Sequence, residues 1–203
     1  MIERLKEVSG RDVPRETFEM LEAYAAVLVE ESSKQNLIAS STVDQLWERH
    51  ILDSAQLVRL AKPGNWVDIG SGAGLPGLVI AILTGDRVTL VEPRRLRAEF
   101  LATVKARLAL NNVTIVHGKA TAVSAKFDKI TARAVGPATD LLAMTHHLSH
   151  SKTVWILPKG RTAQKELADV RAAWQGAFRL EPSMTDEAAS VLLATGVKPR
   201  GTR

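Results

Sequence analysis

The sequence predicts an α/β fold: a mostly parallel sheet of seven strands with an antiparallel edge, preceded by a helical extension. Two observations lead to this prediction. From residue 66 onward, short apolar segments alternate with helical patterns, which is typical of parallel strands joined by helices. Residues 67–77, VDIGSGAGLPG, have the composition of a strand, a tight glycine turn and the start of a helix.

The first part of the chain, residues 1–62, is predicted to be a helical extension packed on the domain formed by residues 63–203. Residues 14–31 carry apolar side chains at spacings of three and four, as an amphipathic helix does. After a polar turn, residues 43–60 repeat this pattern, and a Pro-Gly pair ends it. No linker rich in Ser, Gly or Pro follows, so we expect one compact unit.

The second part supplies the sheet. Its last two strands have no helix between them, so we expect them to form an antiparallel pair. The predicted strands are 66–69, 88–91, 114–116, 129–132, 153–157, 178–180 and 190–195, and the predicted helices are 76–83, 95–110, 139–148 and 162–174.

Composition limits the possible functions. The longest apolar run after the glycine turn, residues 78–83, is far shorter than the roughly 20 residues that span a membrane. Residues 1–10 have no apolar signal-peptide core, so we expect a soluble, cytoplasmic monomer. The chain has no cysteine, which excludes a cysteine nucleophile and thiolate metal sites. Its 27 basic and 22 acidic residues fit a nucleic-acid partner and equally a basic solvated surface.

The glycine turn has two candidate ligands. Read as G-x-G-x-x-G from Gly72, with Glu92 after the next strand to bind a ribose, it fits a nicotinamide or flavin dinucleotide. Asp68, at the carboxyl end of the first strand, argues against that ligand because a carboxylate repels a pyrophosphate. A ligand with an ammonium and a sulfonium group would be attracted instead. S-Adenosylmethionine has both groups and a ribose, so it is the favoured cofactor.

Several separate segments resemble one family. In chain order they are NLI (36–38), WERHILDS (47–54), DIGSGAGLPG (68–77), LVEP (90–93), ARA (132–134) and PKG (158–160). Together they resemble the RsmG family, also called glucose-inhibited division protein B, whose bacterial members methylate N7 of a guanine in 16S ribosomal RNA. The resemblance implies a Rossmann-like class I methyltransferase, S-adenosylmethionine as cofactor and the 30S ribosomal subunit as partner.

The resemblance also implies how the cofactor is held. Glu92 would bind the ribose hydroxyls, and the residues after the third strand would flank the adenine. Thr121 stands where some members have a Glu in an acidic pair, so we expect backbone atoms to contact the adenine. The implied cofactor-binding residues are Asp68, Gly70, Gly72, Gly74, Leu75, Glu92, Ala120, Thr121 and Arg133.

The implied chemistry needs no general base. Guanine N7 has an in-plane lone pair and no proton to lose, so transfer is an in-line displacement that depends on position. No catalytic residue is therefore expected, apart from a positioning role for Arg133. That side chain would hold a phosphate or the guanine O6 edge, or else pair with the cofactor carboxylate or with Asp68. A non-catalytic RNA-binding or ribosome assembly factor on the same fold is the remaining alternative.

Other polar residues have weaker assignments. His50, Asp53 and Ser54 interrupt an apolar stripe, either as a hydrogen-bond network tying the extension to the sheet or as part of the RNA entrance. Lys159 and Arg161 follow the fifth strand, and we expect them to contact RNA phosphates. The histidines near residues 146–150 are not spaced as metal ligands, so no metal site is expected.

Overall fold

The computed structural model describes residues 1–200 and contains one seven-stranded sheet. Its strands are β1 (Trp66–Ile69), β2 (Val88–Glu92), β3 (Val113–His117), β4 (Lys129–Thr131), β5 (Val154–Lys159), β6 (Trp174–Pro182) and β7 (Ser190–Pro199). They lie in the order β3-β2-β1-β4-β5-β7-β6. The first five strands are parallel, and β7 runs antiparallel to both β5 and β6. The order reverses beside β1, which opens a crevice at the carboxyl ends of β1 and β4.

Helices cover both faces of the sheet. They are α1 (Ile2–Ser9), α2 (Arg15–Gln35), α3 (Asp53–Ala55), α4 (Gly77–Thr84), α5 (Arg95–Arg107), α6 (Ala138–Thr145) and α7 (Ala163–Ala173). Strand β1 is buried on both sides, so its residues alternate between two cores. Trp66 packs with the extension, α4 and α5, whereas Val67 packs with α6 and α7.

The extension shares its core with the sheet. Leu21 and Leu28 of α2 are fully buried in the same cluster as Leu78 of α4. This burial follows from the apolar spacing of α2, whose stripe faces the helix that begins at the glycine turn. The division into two parts at residue 62 stays a prediction. No helix within residues 1–200 is long and apolar enough to cross a bilayer.

Local structure differs from the expected elements in three places. An unexpected helix, α1, buries Leu5 and Val8. The expected regular helix over residues 43–60 instead has 3-10 turns at Ser40–Gln45 and Gln56–Leu60 around a π-helical turn at Trp47–Leu52 and α3. Strand β6 begins at Trp174, where the helix was expected to end, because β7 pairs with it from that residue onward.

Candidate functional site

The glycine turn between β1 and α4 has a backbone that side chains would strain. Gly70, Gly72 and Gly74 have φ angles of +69°, +54° and +91°, in the left-handed region. A Cβ on Gly74 would overlap Leu78, while one on Gly72 would meet only Arg97 Nη1 at 3.6 Å and the Gly70 carbonyl at 3.7 Å. The turn is therefore tightly packed at Gly74, whereas a ligand can contact the backbone at Gly72.

Asp68 lies beneath this turn and not in the open crevice. Its side chain is fully buried, and Oδ2 accepts a hydrogen bond of 3.0 Å from the Gly77 amide. Its other oxygen, Oδ1, is buried and has no hydrogen-bond partner within residues 1–200. Burial raises the pKa of Asp68 to about 7, against the Gly77 hydrogen bond, which lowers it. The Asp68 side chain thus reaches the turn through the Gly77 amide, and its expected contact with the cofactor stays a prediction.

Glu92 closes the turn from the neighbouring strand. Oε2 accepts 2.8 Å from the Gly72 amide and Oε1 accepts 2.8 Å from the Arg94 amide, and the residue is only 2% exposed. This carboxylate therefore shapes the glycine turn directly. Each of its oxygens has a second lone pair, which leaves capacity for hydroxyl donors.

The other expected cofactor residues lie at the same edge but differ in exposure. Leu75 and Ala120 are buried, at 3% and 2% exposure, whereas Thr121 is exposed on the short 3-10 turn that follows β3. The Gly118 amide donates 3.0 Å to the Glu92 carbonyl, which holds that turn beside the end of β2. The structure thus brings this set together around the carboxyl ends of β1, β2 and β3.

Two neighbours of the turn had no distinguishing signal in the sequence. Tyr24, fully buried on α2, donates 2.8 Å from its hydroxyl to the Ala73 carbonyl. Burial raises the pKa of this phenol far above its usual range, so Tyr24 is a permanent donor. Arg97, at the start of α5, has its guanidinium near Gly72.

A cavity of about 710 Å³ opens at the carboxyl ends of β4 and β5, next to the glycine turn. Its walls come from the extension, from the β4–α6 loop and from the β6–β7 loop. Val135 of the β4–α6 loop separates the two spaces: it lines the cavity, and its Cγ2 atom lies 2.7 Å from where a Gly70 Cβ would be. One apolar side chain thus contacts both the cavity and the first glycine of the turn.

Arg133 points across this cavity to the extension. Its Nη1 lies 3.3 Å from the Arg49 carbonyl, 3.3 Å from His50 Nδ1 and 3.4 Å from Asp53 Oδ2. Its salt bridge is thus with Asp53, not with Asp68. The expected network of His50, Asp53 and Ser54 is present, and Ser54 donates 2.6 Å to the His50 carbonyl.

Asp53 also joins the β6–β7 loop to this network. Its Oδ1 accepts 2.9 Å from Gln56 Nε2 and 3.2 Å from the Thr185 hydroxyl, and Gln56 Oε1 accepts 2.8 Å from the Met184 amide. Three chain segments far apart in sequence therefore converge on one carboxylate.

Lys159 and Arg161 do not form a pair of free cations. Lys159 Nζ lies 2.8 Å from Glu166 Oε2 and donates 2.8 Å to the Gly136 carbonyl, and its side chain is only 8% exposed. Arg161 is exposed and has no salt bridge within residues 1–200. The ammonium of Lys159 thus neutralises Glu166 and holds the β4–α6 loop, and its expected phosphate contact stays a prediction.

The histidines near residue 150 have separate partners. His146 and His147 lie 3.3 Å and 3.2 Å from the carbonyls of Val197 and Ala120, and His150 lies 3.2 Å from Asp128. No group of three potential metal ligands occurs in the part of the chain that the structure describes.

Residues 17–187 match the family model described as rRNA small subunit methyltransferase G. The chain belongs to this family. Ribosomal RNA small subunit methyltransferase G of Rhizorhabdus wittichii is 46% identical over 200 residues, which cover 96% of this chain and 92% of the relative. Membership in this family confirms the predicted RsmG resemblance and favours a methyltransferase over the dinucleotide-dependent oxidoreductase and the non-catalytic assembly factor.

Solved structures confirm the class I methyltransferase fold. Precorrin-6y C5,15-methyltransferase of Geobacter metallireducens aligns with a TM-score of 0.53 at 15% identity, over 79% of this chain and 90% of that one. A point mutant of MtNAS, solved with S-adenosylmethionine, aligns with a TM-score of 0.59 at 20% identity, over 87% and 74% of the two chains. In this member of the methyltransferase G family, the glycine turn and the cavity lie at the carboxyl ends of the parallel strands, where open α/β sheets bind their ligands.

Proposed function

We propose that this chain methylates N7 of a guanine in 16S ribosomal RNA of the small subunit, with S-adenosylmethionine as cofactor. The observation that carries the proposal is the contact between two spaces, because the glycine turn and the 710 Å³ cavity meet at Val135. A transferase needs a cofactor site and an acceptor site that share one boundary.

The residues of the crevice fit this cofactor. The carboxylate of Glu92 accepts from the Gly72 amide and keeps a further lone pair on each oxygen for ribose hydroxyls, and Thr121 is exposed on the turn after β3. The orphaned Oδ1 atom of Asp68, buried beneath the turn, favours a positive charge above it. When bound, S-adenosylmethionine supplies an electrophilic methyl group, which the N7 lone pair takes as the carbon–sulfur bond breaks.

The acceptor cavity suits a neutral base better than a phosphate. Four of its charges form two pairs, Arg133 with Asp53 and Lys159 with Glu166, and the other two, on Arg49 and Asp186, are of opposite sign. A phosphate would meet three carboxylates there, whereas a guanine brings the O6 acceptor for Arg133 and needs no net charge from the walls. Arg133 is the residue that we assign to guanine O6. Since N7 has no proton to lose, no side chain of the cavity acts as a base.

The RNA backbone would be held outside the cavity. Arg161 is exposed, directly follows Gly160 of the cavity wall, and carries an unpaired guanidinium among the described residues. We assign phosphate contact to this side chain, which needs neither a fixed orientation nor burial for that purpose.

Transfer of a labelled methyl group tests the function. The purified protein is incubated with labelled S-adenosylmethionine and small ribosomal subunits that lack the modification. Label in the 16S RNA supports the proposal, while label in ribosomal protein alone, or no transfer, refutes it. In a parallel titration we expect S-adenosylhomocysteine to bind and NAD not to bind.

A further inference from the structure

We propose that His50 is a positioning residue whose ring, held as the neutral Nε2–H tautomer, orients Arg133 toward the acceptor base through its Nδ1 atom. This inference rests on the proposed function, because it assigns a task to the arginine that contacts guanine O6. It gives His50 a role distinct from the RNA contact that the sequence suggested.

The direction of each hydrogen bond follows from the chemistry of the partners. Arg133 Nη1 lies 3.3 Å from His50 Nδ1, and a guanidinium can only donate, so Nδ1 must accept. At the other end, His50 Nε2 lies 2.8 Å from Thr42 Oγ1. The single hydroxyl proton of Thr42 is donated over 2.7 Å to the Ala39 carbonyl, so Thr42 must accept from Nε2–H. The hydrogen bonds at Nδ1 and at Nε2 therefore require the same tautomer of His50, the one with its proton on Nε2.

The surroundings keep the ring neutral. Burial, together with the positive charges of Arg133 and Arg49, lowers the pKa of His50 to about 4. A protonated ring would present N–H groups on both sides and would repel the guanidinium it now orients. At neutral pH the imidazole is therefore an acceptor toward the cavity and not a proton donor.

The contacts with the extension decide which nitrogen atoms of Arg133 remain free to bind a substrate. Three acceptors of the extension, from Arg49, His50 and Asp53, all contact Nη1. Nε and Nη2 have no partner within residues 1–200, and the side chain is 21% exposed on the cavity. One edge of the guanidinium is thus anchored, and the remaining donors are left for a carbonyl acceptor such as guanine O6.

The π-helical turn explains how one short segment supplies these acceptors. Trp47–Leu52 is wound more widely than an α-helix, and the Arg49 carbonyl and the His50 ring both face the end of β4. The hydrogen bond from His50 Nε2 to Thr42 links this segment to the preceding 3-10 turn at Ser40–Gln45. The extension thereby becomes part of the acceptor site.

Two substitutions separate the two ends of the ring. In His50→Asn the amide oxygen occupies the place of Nδ1 and can accept from Arg133, whereas in His50→Gln the amide reaches toward Thr42 instead. We expect His50→Ala and His50→Gln to lower kcat/KM for unmodified small subunits by about tenfold or more, and His50→Asn to recover most of this loss. His150→Ala, which removes a histidine bonded to Asp128 before β5, is the matched control.

A purely structural role would show in different measurements. We expect the dissociation constant for S-adenosylhomocysteine to change by less than about twofold in all three variants, because the glycine turn is untouched. In an Arg133→Ala background, His50→Ala should cause no further loss, because the group that it orients is gone. Thermal melts report whether each variant is folded. If His50→Ala does not fold, the comparison of His50→Asn with His50→Gln tests the positioning role.

The inference is wrong if His50→Ala methylates like the wild type, or if His50→Gln is active while His50→Asn is not. It is also wrong if the two losses add fully in the double variant. Failure of the wild type to methylate small subunits is a different result, because it removes the proposed function itself.

Discussion

Replacing Asp68 by Asn should remove part of the pH dependence of stability. The carboxylate is fully buried, and its pKa is raised from 3.8 to about 7. Between these values the folded protein holds a proton that the unfolded chain has lost. Stability therefore falls as pH rises from about 4 to 7, because ionising the buried group in the native state is unfavourable.

The expected magnitude follows from the two pKa values. From pH 5 to pH 8 this carboxyl alone should lower the free energy of unfolding by about 3 kcal/mol. The side chain introduced by Asp68→Asn keeps an amide oxygen for the Gly77 amide but does not titrate. From pH 5 to pH 8, the unfolding free energy of Asp68→Asn should therefore rise by about 3 kcal/mol relative to that of the wild type.

Urea unfolding at several pH values measures this difference directly. Glu31→Gln is a matched control, because hydrogen bonds from Gln35 and Lys34 lower the pKa of Glu31 and its carboxyl is ionised in both the folded and the unfolded chain over most of this range. Its difference from the wild type should be flat from pH 5 to pH 8. An equally flat difference for Asp68→Asn would show that the buried carboxyl does not titrate there, and the account of this site would fail.

Three further substitutions test other parts of the site. Tyr24→Phe leaves the buried Ala73 carbonyl without its donor, so unfolding free energy should fall by about 1–3 kcal/mol and S-adenosylhomocysteine should bind severalfold more weakly by calorimetry. Gly74→Ala, at φ +91° with a leucine in the way, should destabilise by about 2–4 kcal/mol in denaturant unfolding. Arg161→Ala should weaken RNA binding and reduce the logarithmic salt slope by about 0.7–0.9.

Matched controls accompany these variants. Gly85→Ala, at φ +69° with nothing within 4 Å, should lose only about 1–2 kcal/mol. Equal losses at Gly74 and Gly85 would contradict the close packing under the turn. Arg87→Ala removes an exposed charge just before β2, at the amino ends of the strands and away from the cavity, and should leave the salt slope unchanged. For Tyr24→Phe, unchanged cofactor affinity would mean that the extension does not shape the turn.

The sequence predicted the elements that depend on local patterns. The strand at Trp66–Ile69 has the expected bounds because four buried residues directly precede a glycine turn. The antiparallel pair β6 and β7 follows from the lack of a helix between them. The glycine φ angles were also foreseeable, since only that residue type adopts them without strain.

Contacts between distant segments could not be read from local patterns. Lys159 has its partner seven residues later, on α7, where the sequence shows only another charge. Arg133 meets acceptors 80 to 84 residues earlier, presented by or next to a π-helical turn that apolar spacing does not distinguish from an α-helix. The burial of Asp68 depends on α4, whose Gly77 amide binds the side chain from nine residues further along the chain.

Identification of the methylated nucleoside tests the central claim most directly. Small subunits lacking the modification are incubated with the protein and labelled S-adenosylmethionine, and the 16S RNA is digested to nucleosides and separated by chromatography with mass detection. The account predicts that the label elutes as 7-methylguanosine. Label in a nucleoside methylated on an exocyclic amine, on carbon or on the ribose would contradict it.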